Sequence, residues 1–306
     1  MVPLRFLVKK RPIPLFINPV AGRGRAAQHA GAIRDLLEAS GVEVEDIQST
    51  SLGDIEYMVF AAASTGADRI IVAGGDGSVH EAVNGILRSG SQTALGVIPV
   101  GTGNDFAKAC SIPLHWEDAT KLLSDRIAND LPARFIDAGR MNERYFANGA
   151  GIGFDAKINH IARSIRLPIG DLVYLIAVFQ GVWDGVLTPD VHMRFDDAEY
   201  AGPVTLVEMC NGASVGGMFH IAPMARNDDG LLDLVVVQPV SRLRVFALLP
   251  RLMRGTHLAA PEVSCATVKS LTLVASDPVP SHLDGEVQPL QREFQIELLE
   301  RALAIL

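Results

Sequence analysis

The chain has 306 residues, of which 48% are hydrophobic and 20% charged, with a net charge of −8. That is enough apolar material for two cores, and it lacks the basic excess that nucleic-acid binding needs. Three isolated cysteines, Cys110, Cys210 and Cys265, offer neither a CxxC motif nor a paired framework, which points to a reducing, cytoplasmic setting.

The N-terminus, MVPLRFLVKKRP, carries its charge after its apolar run, the reverse of a secretory signal. IPLFI at 13–17 is a strand candidate and is followed by the loop NPVAGRGR. Ala27, Ala30, Ile33, Leu36 and Leu37 then recur at helical spacing. Residues 42–47 alternate as a second strand, 54–64 read as a helix, and 69–73 and 94–100 are buried strands. This β-α alternation predicts a parallel sheet covered by helices over residues 1–136. From 137 to 306 strands dominate, at 191–195, 204–210, 232–237, 268–275 and 294–298, with helical interruptions near 171–181 and 242–254. A second, mostly antiparallel β-sandwich domain is expected there, its last residues packing back on the first. The longest apolar run, 172–179, is shorter than the roughly 20 residues that span a bilayer, so any membrane contact is expected to be peripheral.

The stretch VAGGDGSVHEAVNGIL carries the chemistry. It fits neither GxxxxGK[ST] nor GxGxxG. It joins the strand Ile70-Ile71-Val72 to a helix with Val79, Ala82, Val83, Ile86 and Leu87 on one face. Ser78 and Glu81 are spaced as a capping box that would fix the helix start. Gly74, Gly75 and Gly77 let a ligand approach the backbone, and the helix N-terminus favours phosphate. Asp76 cannot favour a bare phosphate; it makes sense with Mg²⁺ bridging carboxylate and phosphate oxygens. A tight turn with a solvated Asp76 is the plainer alternative. Two further glycine turns, NPVAGRGR and GTGNDFA, follow neighbouring strands. Asn104 or Asp105 is a helix cap and Thr102 a phosphate contact or a cap. Three such turns at the carboxyl edge of one sheet indicate nucleotide phosphates.

NPVAGRGRA, VAGGDGSVHEAVNGI, LGVIPVGTGNDFA, ANGAGIGFDA, ARNDDGLLDLVVV and HLDGE, in this order, resemble the diacylglycerol kinase catalytic superfamily, which includes bacterial lipid kinases and sphingosine kinases. Ser78 stands where that family more often has threonine. The resemblance implies a nucleotide domain, a β-sandwich and an active cleft between them, with transfer of the ATP γ-phosphoryl group to a lipid hydroxyl. It implies nucleotide contacts from Asn18, Thr50, Gly74, Gly75, Asp76, Gly77, Ser78 and Thr102. Glu286 becomes the general base, and a structural Mg²⁺ sits on Asp229 and the carbonyls of Arg226 and Leu231. Without the resemblance, Asp-Gly-Glu and Asp-Asp-Gly read as hairpin turns. An NAD kinase or another small-molecule kinase with a GGDG turn is the nearest alternative. Gly212-Ala213-Ser214-Val215-Gly216, with His220 nearby, matches the hydrolase elbow GxSxG, but no helical pattern follows Ser214. Residues 241–258 set four arginines among apolar residues and suit either an anionic membrane surface or packing on the second domain. Which lipid is phosphorylated (diacylglycerol, a sphingoid base or a polyisoprenoid alcohol) and the oligomeric state, a homodimer included, are left open by the sequence.

Overall fold

The computed structural model describes residues 11–165 and 172–306. The expectations placed on residues 1–10 and on Asp171 lie outside them. In the first part, β1 (Ile13–Ile17), α1 (Arg25–Ala39), β2 (Val44–Gln48), α2 (Asp54–Ser64), β3 (Arg69–Gly74), α3 (Asp76–Ser89) and β4 (Ala94–Pro99) alternate. The strands pair in parallel in the order β2-β1-β3-β4. Alternation along each strand divides the core between two faces. Phe16, Ile70, Val72 and Leu95 pack against Ile55, Val59, Val79 and Val83 of α2 and α3. Leu15, Ile17, Ile71 and Ile98 pack against Ile33 and Leu37 of α1 and against Leu123 and Ile127. The last two belong to α5 (Trp116–Ala128), which follows the short α4 (Asp105–Ala109).

The second part opens with β5 (Arg134–Met141), β6 (Arg144–Phe146), β7 (Gly149–Gly153), α6 (Phe154–Ser164) and α7 (Leu172–Asp184). It continues with β8 (Asp190–Phe195), β9 (Ala198–Pro203), β10 (Leu206–Cys210), β11 (Leu232–Val237), α8 (Arg242–Met253), β12 (Val263–Val268), β13 (Ser270–Leu283) and β14 (Glu286–Ile305). Its strands pair antiparallel in the order β12-β11-β10-β7-β13-β14. The sandwich core holds Phe146, Ile152, Val207, Leu234, Leu271 and Phe294. Helices α6, α7 and α8 share a separate apolar cluster built on Phe154, Ile158, Val178, Phe219 and Leu249.

The 20 residues of β14 connect the two parts. Its first half pairs with β13, its second half with β5, and Ile305 lies parallel to Leu95 of β4. Leu303 and Ile305 are buried in the core of the first part. The hairpin between β13 and β14 turns on Asp284 and Gly285, both at positive φ (51° and 83°), the conformation that Asp-Gly favours. That turn delivers Glu286 to the carboxyl edge of the parallel sheet.

Candidate active site

The three glycine loops meet in space. Asn18 Nδ2, after β1, donates to Ser78 Oγ at 3.0 Å. Arg25 Nη2, at the start of α1, donates to the Gly101 carbonyl at 2.8 Å. The turns after β3 and β4 touch backbone to backbone: a Cβ on Gly101 would lie 2.5 Å from Gly75 Cα. Only glycine permits that approach. Beside them a cleft of about 960 Å³ is lined by Arg23, Arg25, Thr102, Asn104 and Lys108.

The start of α3 differs from the capping-box expectation. The helix begins at Asp76, with Gly75 as its extended cap residue, so Ser78 lies inside the first turn and accepts from Asn18. Glu81 instead accepts from the backbone N–H groups of Gly53 and Ile55, at 3.0 and 3.1 Å. It caps the neighbouring helix α2, whose first N–H groups have no partner within that helix. Asn104 occupies the cap position of α4 with φ 52°, but its side chain donates to the Gly101 carbonyl and not into the helix. Thr50, in the loop after β2, gives both its N–H and its hydroxyl to Asp54, at 2.8 and 2.7 Å.

Two carboxylates crowd the phosphate turn. A Cβ on Gly103 would lie 2.9 Å from Asp76 Oδ2 and 3.6 Å from Asp105 Oδ2. Asp76 Oδ1 accepts from Phe106 N–H, and Asp105 accepts from Gly217 N–H and Lys108 Nζ. Burial, then the Asp105 charge and more weakly that of Asp284, push Asp76 up to about 7, against the Phe106 hydrogen bond. A divalent cation would relieve this repulsion, and paired carboxylate oxygens are the hard donors that Mg²⁺ takes.

Glu286 faces the same turn from the other domain. A Cβ on Gly77 would lie 2.8 Å from Glu286 Oε1, while Oε2 pairs with Arg163 of α6. The hairpin that carries it is fixed by Asp284, which accepts from the N–H groups of Ala147, Asn148 and Gly149 and pairs with His80 Nδ1 of α3 at 2.9 Å. Burial works against the charge of Asp284, but His80 and these N–H groups hold its pKa below the usual value.

Behind the hairpin lies a buried polar cluster. His282 Nδ1 accepts from Gly285 N–H at 3.2 Å, and His282 Nε2 lies 2.7 Å from Asp155 Oδ2. Burial and the Asp155 charge raise Glu208 well above its usual range, which favours its neutral form beside Asp155. Burial would also raise Asp155, but the hydrogen bond and charge of His282 bring it down. All three side chains converge on Gly151, where a Cβ would come within 2.5 Å of each. The trio has the composition of a metal site. The Gly285 hydrogen bond, however, assigns the imidazole proton to Nε2, which leaves no lone pair there for a cation. The cluster reads as a hydrogen-bonded chain that ends on the residue before Glu286. Its signal in sequence was a single acid, Glu208, in the apolar run LVEMC.

A cavity of about 140 Å³, almost wholly apolar, begins at Tyr174, Asp155, Glu208 and His282 and runs between α7, α8, β10 and β11. Elsewhere, Asp229 is exposed in the turn before β11, and its Oδ1 accepts from Leu231 N–H at 3.2 Å. That turn is tied down by Asp137, which accepts from Gly230 N–H and Arg301 N–H. The Asp229 carboxylate and the carbonyls of Arg226 and Leu231 are again hard oxygen donors. Ser214 Oγ does meet His220 Nδ1, at 3.0 Å. Ser214 is buried in a loop that returns through the Val215–Phe219 bridge, without the helix that a nucleophile elbow requires. The loop serves as a clamp: Gly217 holds Asp105 and Lys108 of α4.

Glycine turns at the carboxyl edge of a parallel α/β sheet, facing a carboxylate on a β-sandwich, fit a two-domain kinase architecture. Residues 12–133 match the diacylglycerol kinase catalytic domain, and residues 149–306 match the YegS C-terminal NAD kinase beta sandwich-like domain. The chain is 30% identical to the diacylglycerol kinase of Bacillus subtilis (strain 168), over 89% of this chain and 88% of that one. It is 32% identical to the diacylglycerol kinase of Mycobacterium tuberculosis (strain ATCC 25618 / H37Rv), over 83% of this chain and 82% of that one. A crystal structure of a diacylglycerol kinase from Bacillus anthracis str. Sterne superposes with a TM-score of 0.77 at 25% identity, covering 96% of both chains. The chain belongs to the diacylglycerol kinase family and is a lipid kinase.

Proposed function

We propose that this lipid kinase transfers the γ-phosphoryl group of ATP to the free hydroxyl of diacylglycerol. The observation that carries this reading is the position of Glu286 Oε1 beside Gly77, with an apolar cavity opening behind the same hairpin. The N-terminus of α3, Gly75, Gly77, Asn18 and Thr102 would receive the phosphates, with Arg23, Arg25 and Lys108 along the cleft. Glu286 accepts the lipid hydroxyl proton as the oxygen–γ-phosphorus bond forms. The bond from γ-phosphorus to the β,γ-bridging oxygen breaks, and ADP leaves with that electron pair. Arg163 keeps the carboxylate turned toward the turn. Mg²⁺, held by Asp76 with Asp105 beside it, would neutralise phosphate charge, and a second Mg²⁺ on Asp229 with the Arg226 and Leu231 carbonyls would brace the loop before β11. Acyl chains would fill the apolar cavity, for which a soluble sugar or dinucleotide has no use.

The test offers radiolabelled ATP with Mg²⁺ to diacylglycerol, a sphingoid base, a polyisoprenoid alcohol, NAD and fructose 6-phosphate in parallel. Label in phosphatidic acid is the expected result. Turnover of NAD or of the sugar phosphate without any lipid product contradicts the proposal.

A further inference from the structure

Two histidines grip the turn that precedes Glu286, and both are 3% exposed. His80 of α3 pairs with Asp284, and His282 of β13 accepts from Gly285 N–H at 3.2 Å. The first clasp joins the two domains. The second lies within the second part, where His282 stands in register between Gly151 of β7 and Val287 of β14. A buried imidazole is costly unless its nitrogens are partnered. Both nitrogens of His282 are partnered, one of them by the chain that leads into Glu286.

The tautomer decides what His282 can do. Gly285 N–H points at Nδ1, so Nδ1 carries the lone pair and the ring proton sits on Nε2. Asp155 Oδ2 accepts that proton at 2.7 Å. Burial opposes the charge on Asp155, but the hydrogen bond and charge of His282 bring its pKa down, while Glu208, 3.8 Å from Nε2, is raised. The negative charge therefore stays on the carboxylate that fixes the ring. Strand β7 leaves room for this pair: a Cβ on Gly151 would lie 1.8 Å from Asp155 Oδ2 and 2.3 Å from His282 Nε2. Gly285 itself, at φ 83° and without a side chain, has little to hold its backbone in place. His282 restrains the chain just before Glu286. Just after it, Gln288 Nε2 donates to the Glu286 carbonyl at 2.9 Å. Arg163 pairs with Oε2, and Oε1 faces Gly77.

We propose that His282, oriented by Asp155, is a positioning residue for Glu286: its Nδ1 lone pair holds Gly285 and so sets the direction in which the Glu286 carboxylate is aimed. The inference rests on the function proposed above, in which Glu286 takes the lipid proton. Steady-state kinetics with a dissolved short-chain diacylglycerol and ATP test it. His282→Leu removes the acceptor and should lower kcat about tenfold or more, with KM for ATP and for the lipid within about twofold of the parent. His282→Asn returns an acceptor near the place of Nδ1 and should recover most of that loss. Asp155→Asn can donate to Nε2 and turn the ring proton onto Nδ1; it should lower kcat in the same way, and it serves where His282→Leu does not fold. Placed on Glu286→Gln, either damaging change should cost no further kcat, because the group being positioned no longer accepts the proton. A merely structural role would cost as much in that background as in the parent. Nuclear magnetic resonance of the resting protein with ¹⁵N-labelled histidine reads the tautomer without turnover. The His282 signal, identified by its absence from His282→Asn, should show a proton on Nε2 alone. Lipid turnover with additive losses, a change confined to KM, parent-like kcat in His282→Leu, or a proton on Nδ1 each overturns the positioning and leaves the proposed function standing. A parent that phosphorylates no lipid refutes that function and the positioning with it.

Discussion

Glu208 shows how much a single side chain can depend on its surroundings. It sits in the middle of β10, buried beside Asp155, where burial and that neighbouring charge push its pKa well above the usual range. A raised carboxyl contributes stability that is complete below its unfolded value of 4.5 and declines as pH rises from there through the folded value, because over that interval only the folded chain holds the proton. Glu208→Gln keeps a neutral donor toward Asp155 and cannot ionise. It should therefore keep most activity and flatten the fall in melting temperature as pH rises above 4.5, read by calorimetry at several pH values. A slope as steep as the parent's would show that Glu208 is not the proton holder. Sequence displayed the isolated acid but not its partners. Asp155 and His282 are 53 and 74 positions away along the chain and come together only because β7, β10 and β13 lie side by side. Asp76 stood out in the sequence because its glycine turn makes local backbone demands, whereas Glu286 came only with the family resemblance, its Asp-Gly-Glu reading otherwise as a hairpin turn.

At the level of elements, the strands and helices of the first part follow their apolar periodicity closely, since each must bury one face against the sheet. Helix ends follow it less well. Ser78 and Glu81 have the spacing of a capping box, yet Glu81 reaches across to α2. The same four residues serve either purpose, and the close packing of α2 on α3, invisible in a local window, decides between them. Glu81→Ala removes the acceptor for two α2 N–H groups and should cost about 1 kcal/mol in urea unfolding, with the KM for ATP little changed. A stability loss below the error of the measurement would return the helix start to a local cap.

The whole molecule is one continuous sheet from β2 to β12, with β14 at its centre. The β-rich composition after residue 137 announced the sandwich, but composition does not give strand partners, and the pairing of Ile305 with Leu95 closes a loop of some two hundred residues. Leu303 is fully buried against the first part's core although it belongs to the last strand. Leu303→Ala should cost about 2–5 kcal/mol, and tryptophan fluorescence and far-ultraviolet circular dichroism should report one shared, shifted transition. Two separated transitions would mean that the parts unfold independently.

The active cleft depends on that union, because it brings Glu286 to Gly77 from the opposite end of the chain. Steady-state kinetics of Glu286→Gln with saturating diacylglycerol and varied ATP tests this placement most directly. The amide keeps size and hydrogen bonding but not basicity. The expected result is a fall in kcat of about 10²–10⁴-fold with nucleotide affinity near that of the parent. Normal turnover, or a loss confined to ATP binding, would remove Glu286 from proton transfer.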